Sequence, residues 1–182
     1  MMNTTEEEKI NALMAKLLDE TEEEPLRYAE HLARMGGPEV HRQLVGVLNK
    51  GNMEEAFLAA KTLGMMEEDK DKSLDALLDV IHKPSNSSQN GALVSLLEQF
   101  DLTEKFVDLF RIFLFGNFKA SALAKVHLDY EEFAISPRTL KKAEKHWQHF
   151  LNNPRKEDDA YELKKEEAQT ILKELHELFE GE

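Results

Sequence analysis

Three stretches of this sequence, LVGVLNKG from Leu44, LLDVIHKP from Leu77 and LFRIFLFG from Leu109, lie over one another at offsets of 33 and 32 residues. Their columns agree chemically: Leu44, Leu77 and Leu109; Val45, Leu78 and Phe110; Val47, Val80 and Ile112; Leu48, Ile81 and Phe113. A helix breaker follows each, at Gly51, Pro84 and Gly116, and the same offsets carry on to Ala59, Ala92 and Ala124 and to Leu63, Leu96 and Leu128. Apolar residues at i, i+1, i+3 and i+4 cover a broad helix face, and an alanine four residues before a leucine lets a second helix approach closely. One such helix pair is too small to bury both of its faces alone, so the copies must stack. A fainter copy comes first: Leu13 and Leu17 precede Leu44 and Leu48 by 31 residues, as Leu32 precedes Leu63. A terminal unit with a solvated outer face is expected to look atypical.

The rest of the chain agrees with an all-α fold. Pro (5) and Gly (8) are few, helix formers dominate, and no alternating run of Val, Ile or Thr is present. Thr5 with Glu8 predicts a capping box on a first helix lined by Ile10, Leu13, Met14, Leu17 and Leu18. Thr21 predicts the cap of a second helix over 22–35, ended by Gly36, Gly37 and Pro38. Further helices are predicted over 38–49, 53–65, 70–82, 87–100, 103–115 and 118–129, with Asn52, Ser87, Asp101 and Asn117 as N-caps. Ser136-Pro137 opens a helix to Asn152, and a last amphipathic helix spans 158–179. The expected architecture is a right-handed α-α superhelix, a solenoid of four to five antiparallel helix pairs over 1–135. A C-terminal helical hairpin, 136–182, is expected to pack on it within the same domain.

LVGVLNKGNMEEAFLAAKTLG, Leu44 to Gly64, resembles a HEAT repeat, the antiparallel helix pair whose first helix ends in a short turn and whose second carries an alanine-rich apolar stripe ending in Leu-Gly. The likeness covers roughly residues 10–130 as four units. The arginine and aspartate that often mark this family's turn are absent: Glu54 or Glu55 stands where the arginine is expected, and Asn86 is the nearest polar substitute one copy later. The resemblance implies a HEAT-like or armadillo-like solenoid that binds another protein.

Cysteine is absent, which excludes disulfides, thiolate chemistry and Cys-based metal sites. MMNTTEEEK carries acid where a secretory signal has a basic start, and no stretch approaches 18 uncharged apolar residues, so a cytoplasmic protein is expected. The net charge of −13 argues against nucleic acid or an anionic membrane as partner. That charge sits at the ends: residues 1–35 carry −5, residues 157–182 carry −7, and the middle only −1. Acidic, solvated ends around a nearly neutral middle suit a stack whose caps meet water.

Few side chains point to chemistry. No nucleophile elbow, Gly-rich phosphate loop or cofactor motif is present, and Glu54-Glu55 and Glu67-Glu68 are adjacent pairs that diverge on a helix. His146 and His149 have helical metal-ligand spacing but lack an assignable third ligand, so packing or surface roles are expected and no metal is assigned. Arg138, Lys141, Lys142 and Lys145 form a basic stripe, either a site for anions or an acidic partner, or a set of pairs with Glu162, Glu166 and Glu167 of the last helix. FVDLFRIFLFGNF is wider than one apolar stripe and predicts a helix buried on most sides, with an exposed aromatic patch for a partner as the alternative; Met65-Met66 is expected as interior filler, the alternative being adaptable contact surface.

The resemblance implies a scaffold or adaptor, binding another protein through the second helices of its repeats. Glu54, Glu55, Phe57, Lys61, Gln89, Lys119 and Ser121, which flank the repeat alanines, are the candidate contacts. Two alternatives are a helical enzyme or DNA-processing protein resembling HEAT-like glycosylases, which needs a basic groove, and an acidic antagonist of a basic protein. A monomer or weak homodimer is expected, with Leu172, Leu175 and Phe179 of the last helix closing either an intrachain hairpin or a partner's seam.

Overall fold

The computed structural model describes residues 4–155 and 157–180. Every regular element among them is helical: α1 (Thr4–Leu17), α2 (Pro25–Met35), α3 (Gly37–Lys50), α4 (Met53–Met65), α5 (Lys70–Ile81), α6 (Gly91–Val94), α7 (Phe106–Phe115), α8 (Phe118–Tyr130), α9 (Pro137–Asn152) and α10 (Tyr161–Glu180), with 3₁₀ helices at Pro84–Asn86 and Ser95–Gln99. None is long and apolar enough to cross a membrane. The chain forms two compact units, Met1–Phe100 and Asp101–Glu182, so residue 136 lies inside the second.

In the first unit α1 packs on α2 and α3 on α4, while α2 also meets α4, α3 meets α5, and α4 meets α5 and the 91–99 segment. The aligned columns supply the core: Leu44 and Leu77, Leu48 and Ile81, Leu63 and Leu96, and Ala59 are buried, as are Leu17 of α1 and Leu32 of α2. Val45, Val47 and Ala92 are half-buried at its margin.

Hydrogen bonds join pairs of residues 31 to 34 apart. Gly37 N donates to Glu68 Oε2 (3.0 Å), Gln43 Nε2 to Asn11 Oδ1 (2.9 Å) and Lys83 Nζ to Asn49 Oδ1 (3.2 Å), and His41 Nε2 meets the Ser73 hydroxyl at 3.1 Å. The first of these depends on the α2–α3 joint. Gly36 and Gly37 take φ of 60° and 84°, a left-handed turn that an L side chain strains, and this aims the Gly37 amide at Glu68.

α10 opens at Tyr161 and not at 158, and three earlier helix starts also differ from expectation. α1 opens at Thr4, which puts Thr5 inside the first turn and the cap position outside the described residues. At the other two, a nearby aspartate captures the backbone first. Asp19 takes both the amide and the hydroxyl of Thr21 (2.9 and 2.6 Å), so Thr21 forms a turn instead of a cap and α2 starts at Pro25. Asp101 does the same to Thr103, at 3.0 and 2.6 Å, and α7 starts at Phe106.

The largest correction concerns 87–100, expected to be one helix with Ser87 as cap. It follows the 3₁₀ helix Pro84–Asn86 and consists of turns over 87–90, the four-residue α6 and the 3₁₀ helix Ser95–Gln99. The last carbonyls of α5 lack intrahelical donors. Asn86 Nδ2 donates to Val80 O and the buried Asn90 Nδ2 to Ile81 O, both at 2.9 Å, and in doing so they wind 84–90 into turns.

In the second unit α7 is central: it packs on α8, α9 and α10, and α9 packs on α10. Its Phe106, Leu109, Phe110, Ile112, Phe113 and Leu114 are all buried, as the density of FVDLFRIFLFGNF predicts. Phe106 stacks on Phe110 (5.8 Å between centroids) and meets Phe133 edge-on (5.4 Å). Phe118, at the end of the same stretch, is the exception and projects outward from α8.

The α9–α10 hairpin is antiparallel, since Phe150 stacks on Tyr161 (4.8 Å) and Glu144 meets His176 (2.9 Å). Leu172 and Leu175 are buried, which assigns them to the intrachain hairpin. At its base the buried Lys164 ammonium donates to Asp158 Oδ2 (2.8 Å) and to the Gly116 carbonyl (3.2 Å), tying α10 to the α7–α8 turn.

Candidate functional site

The candidate contacts separate into two groups. Glu54, Glu55, Phe57, Lys61 and Gln89 belong to the first unit, Lys119 and Ser121 to the second. On α4 the N-cap is a full capping box, Glu55 N donating to Asn52 Oδ1 (2.9 Å) and Asn52 N to Glu55 Oε2 (2.8 Å). Glu55 therefore fixes the helix start, and replacing Asn52 by Ala is expected to lower stability by about 1 kcal/mol in a chemical denaturation series. An unchanged midpoint would mean that α4 starts without this cap.

Glu54, Phe57 and Lys61 follow one face of α4 at i, i+3 and i+7, with Glu54 exposed and the other two half-buried. Two clefts flank the N-terminal end of the helix. One, shared with the α1–α2 joint, is lined by Leu18, Glu22, Glu54 and Glu55; the other, shared with the 3₁₀ turn, by Asn52, Lys83, Asn86 and Gln89. The structure thus groups Glu54, Glu55 and Gln89 about one helix end, with Phe57 and Lys61 further along.

Ser121 is a different kind of residue from the one expected. It is buried, and its hydroxyl donates to the Phe113 carbonyl at 2.5 Å, closing the α7–α8 turn. It sits beside Ala120 and Ala124 on the inner face of α8, a placement that the alanine column alone does not reveal.

The basic stripe stands free. Arg138, Lys141, Lys142 and Lys145 are all exposed on α9, and among the described residues none forms an ion pair. The pairing expected with Glu162, Glu166 and Glu167 does not form, because of register. With Phe150 beside Tyr161 and Glu144 beside His176, those three glutamates fall opposite the end of α9, past the stripe. Glu162 instead meets Lys165 at 3.7 Å.

His149 lies against Phe115 (5.6 Å) with its Nδ1 3.3 Å from Asn153 Nδ2. Among the described residues no three His, Asp or Glu side chains converge to hold a metal ion.

Fold and surface together define an all-helical protein of packed helix pairs. No protein-family model, curated protein or solved structure matches it.

Proposed function

We propose that the chain is a HEAT-like protein-binding scaffold or adaptor that meets its partner with the outer faces of second helices, α4 foremost. The observation that supports this reading is the set of hydrogen bonds between residues 31 to 34 apart, the spacing of the sequence copies. Copies bonded at their own period form a stack in which first helices follow first helices and second helices follow second. The outer sides of α2 and α4, the second helices of the first unit, then offer a surface to another chain. Glu54, Phe57 and Lys61 give α4 an acid, an aromatic and a base on one face, a composition suited to a protein ligand.

The test is capture from a native extract by the wild type and by a Glu54→Lys/Lys61→Glu double reversal. Glu55 is left unchanged because it belongs to the capping box. Partner recovery is expected to fall at least tenfold with the melting temperature unchanged. Equal recovery by both forms would move the binding face away from α4.

A further inference from the structure

α8 is apolar on two sides. Its inner stripe, Ala120, Ser121 and Ala124, packs into the second unit. Its outer side carries Phe118, Ala122, Val126 and Tyr130 at steps of four, which makes a single ridge. Phe118 is 84% exposed, Val126 53% and Tyr130 83%. Apolar side chains this bare are ordinary when scattered singly, but a continuous ridge along a whole helix marks an interaction surface.

Two features of the ridge identify its occupant. It runs aromatic, small, small, aromatic in either direction, so it fits its own reverse: Phe118 falls toward Tyr130 and Ala122 toward Val126. Its charge is also bipolar. Lys119, exposed and unpaired among the described residues, stands with the capped helix N-terminus at one end. Asp129, Glu131 and Glu132 are exposed at the other, Asp129 holding Lys125 (2.6 Å) and Glu131 facing His127 (3.2 Å). A parallel copy would set lysine against lysine and acid against acid, whereas an antiparallel copy sets Lys119 beside the acidic end.

We infer that α8 is a homodimer interface, two copies of the chain meeting antiparallel through Phe118, Ala122, Val126 and Tyr130 about a two-fold axis that passes between Ala122 and Val126. Such an interface is isologous, each copy offering the same patch. One helix of 13 residues is about 20 Å long, which places the contact in the weak class below about 1,200 Å² in total. Self-association in the ~10–100 μM range is therefore expected. The α8 ridge and the partner-binding face on α4 lie in different units, and dimerisation is read as mass, so either can fail without the other.

The experiment is sedimentation equilibrium of the full chain across that concentration range. The wild type is expected to dimerise, and Val126→Glu, at an exposed position that leaves the fold intact by circular dichroism, to weaken dimerisation by more than about thirtyfold. Lys119→Glu and Glu131→Lys/Glu132→Lys are each expected to weaken it about three- to tenfold, and an equimolar mixture of the two variants to recover wild-type association, because both ends of the heterodimer are again opposite in charge. A monomeric wild type, a dimer indifferent to Val126→Glu, or a mixture no stronger than its components would each overturn the inference.

Discussion

Replacing Phe110 by Ala is expected to cost about 3–5 kcal/mol, a large share of the stability of a domain of this size. Phe110 is fully buried in α7, the helix that touches α8, α9 and α10, and it stacks on Phe106, which in turn meets Phe133. Truncation leaves a ring-sized void in a closely packed interior. Trp147, the only tryptophan, lies in the same unit against Phe150, so its fluorescence during a urea titration reads the effect directly. A loss below about 1 kcal/mol would mean that α7 is not the centre of this unit.

The second large effect is expected at Lys164. Its ammonium is buried and holds both the Asp158 carboxylate and the Gly116 carbonyl. Lys164→Met keeps the stem but removes both bonds, at about 2–3 kcal/mol. Burial alone would raise the Asp158 carboxyl. The hydrogen bond from Lys164, the Ala160 amide and the charges of Lys164 and Arg155 outweigh it and hold the group below its ordinary 3.8. The unfolded chain thus takes up this proton at a higher pH than the folded one. The pair's stabilisation is complete above the ordinary carboxylate range and disappears as pH falls through the folded value. Wild type and Lys164→Met should accordingly differ at pH 7 and converge in urea midpoints as pH falls below the ordinary carboxylate range. A pH-independent difference would show that the lysine acts through packing of its stem.

What can be read in advance from the chain is governed by the range of the interaction responsible. Asn52, Asn117 and Ser136 cap α4, α8 and α9 as the sequence indicates, since each cap is a bond to an amide three residues on. The buried run of α7 is equally plain, because side chains apolar on every side leave a helix nowhere to go but the interior. Local competition overrides Thr21, Asp101 and Ser87 as caps: Asp19 and Asp101 each close a turn on the threonine two residues on, and asparagines bonded to the preceding helix hold the chain after it.

The site residues divide in the same way. Glu54, Phe57 and Lys61 share a face because three- and seven-residue steps on a helix make them do so. The free basic stripe on α9 is hidden from the sequence, which orders the glutamates of α10 without the hairpin register that moves them past it. The outer ridge of α8 leaves a signal in Phe118, Val126 and Tyr130 lying opposite the repeat alanines, but only packing reveals which of two apolar sides faces water.

The bonds between residues 31 to 34 apart have a further consequence for how this chain can change in length. One residue inserted within α3 turns everything after it by about 100°, carrying Gln43 or Asn49 off the face that meets its mate. In the stack proposed above, inserting or deleting a whole copy of about 32 residues preserves the pattern of bonds between neighbouring copies. Gene-level duplication or loss of complete helix pairs is therefore the gentlest route by which such a protein grows or shrinks, and single-residue indels should be tolerated only in the joints.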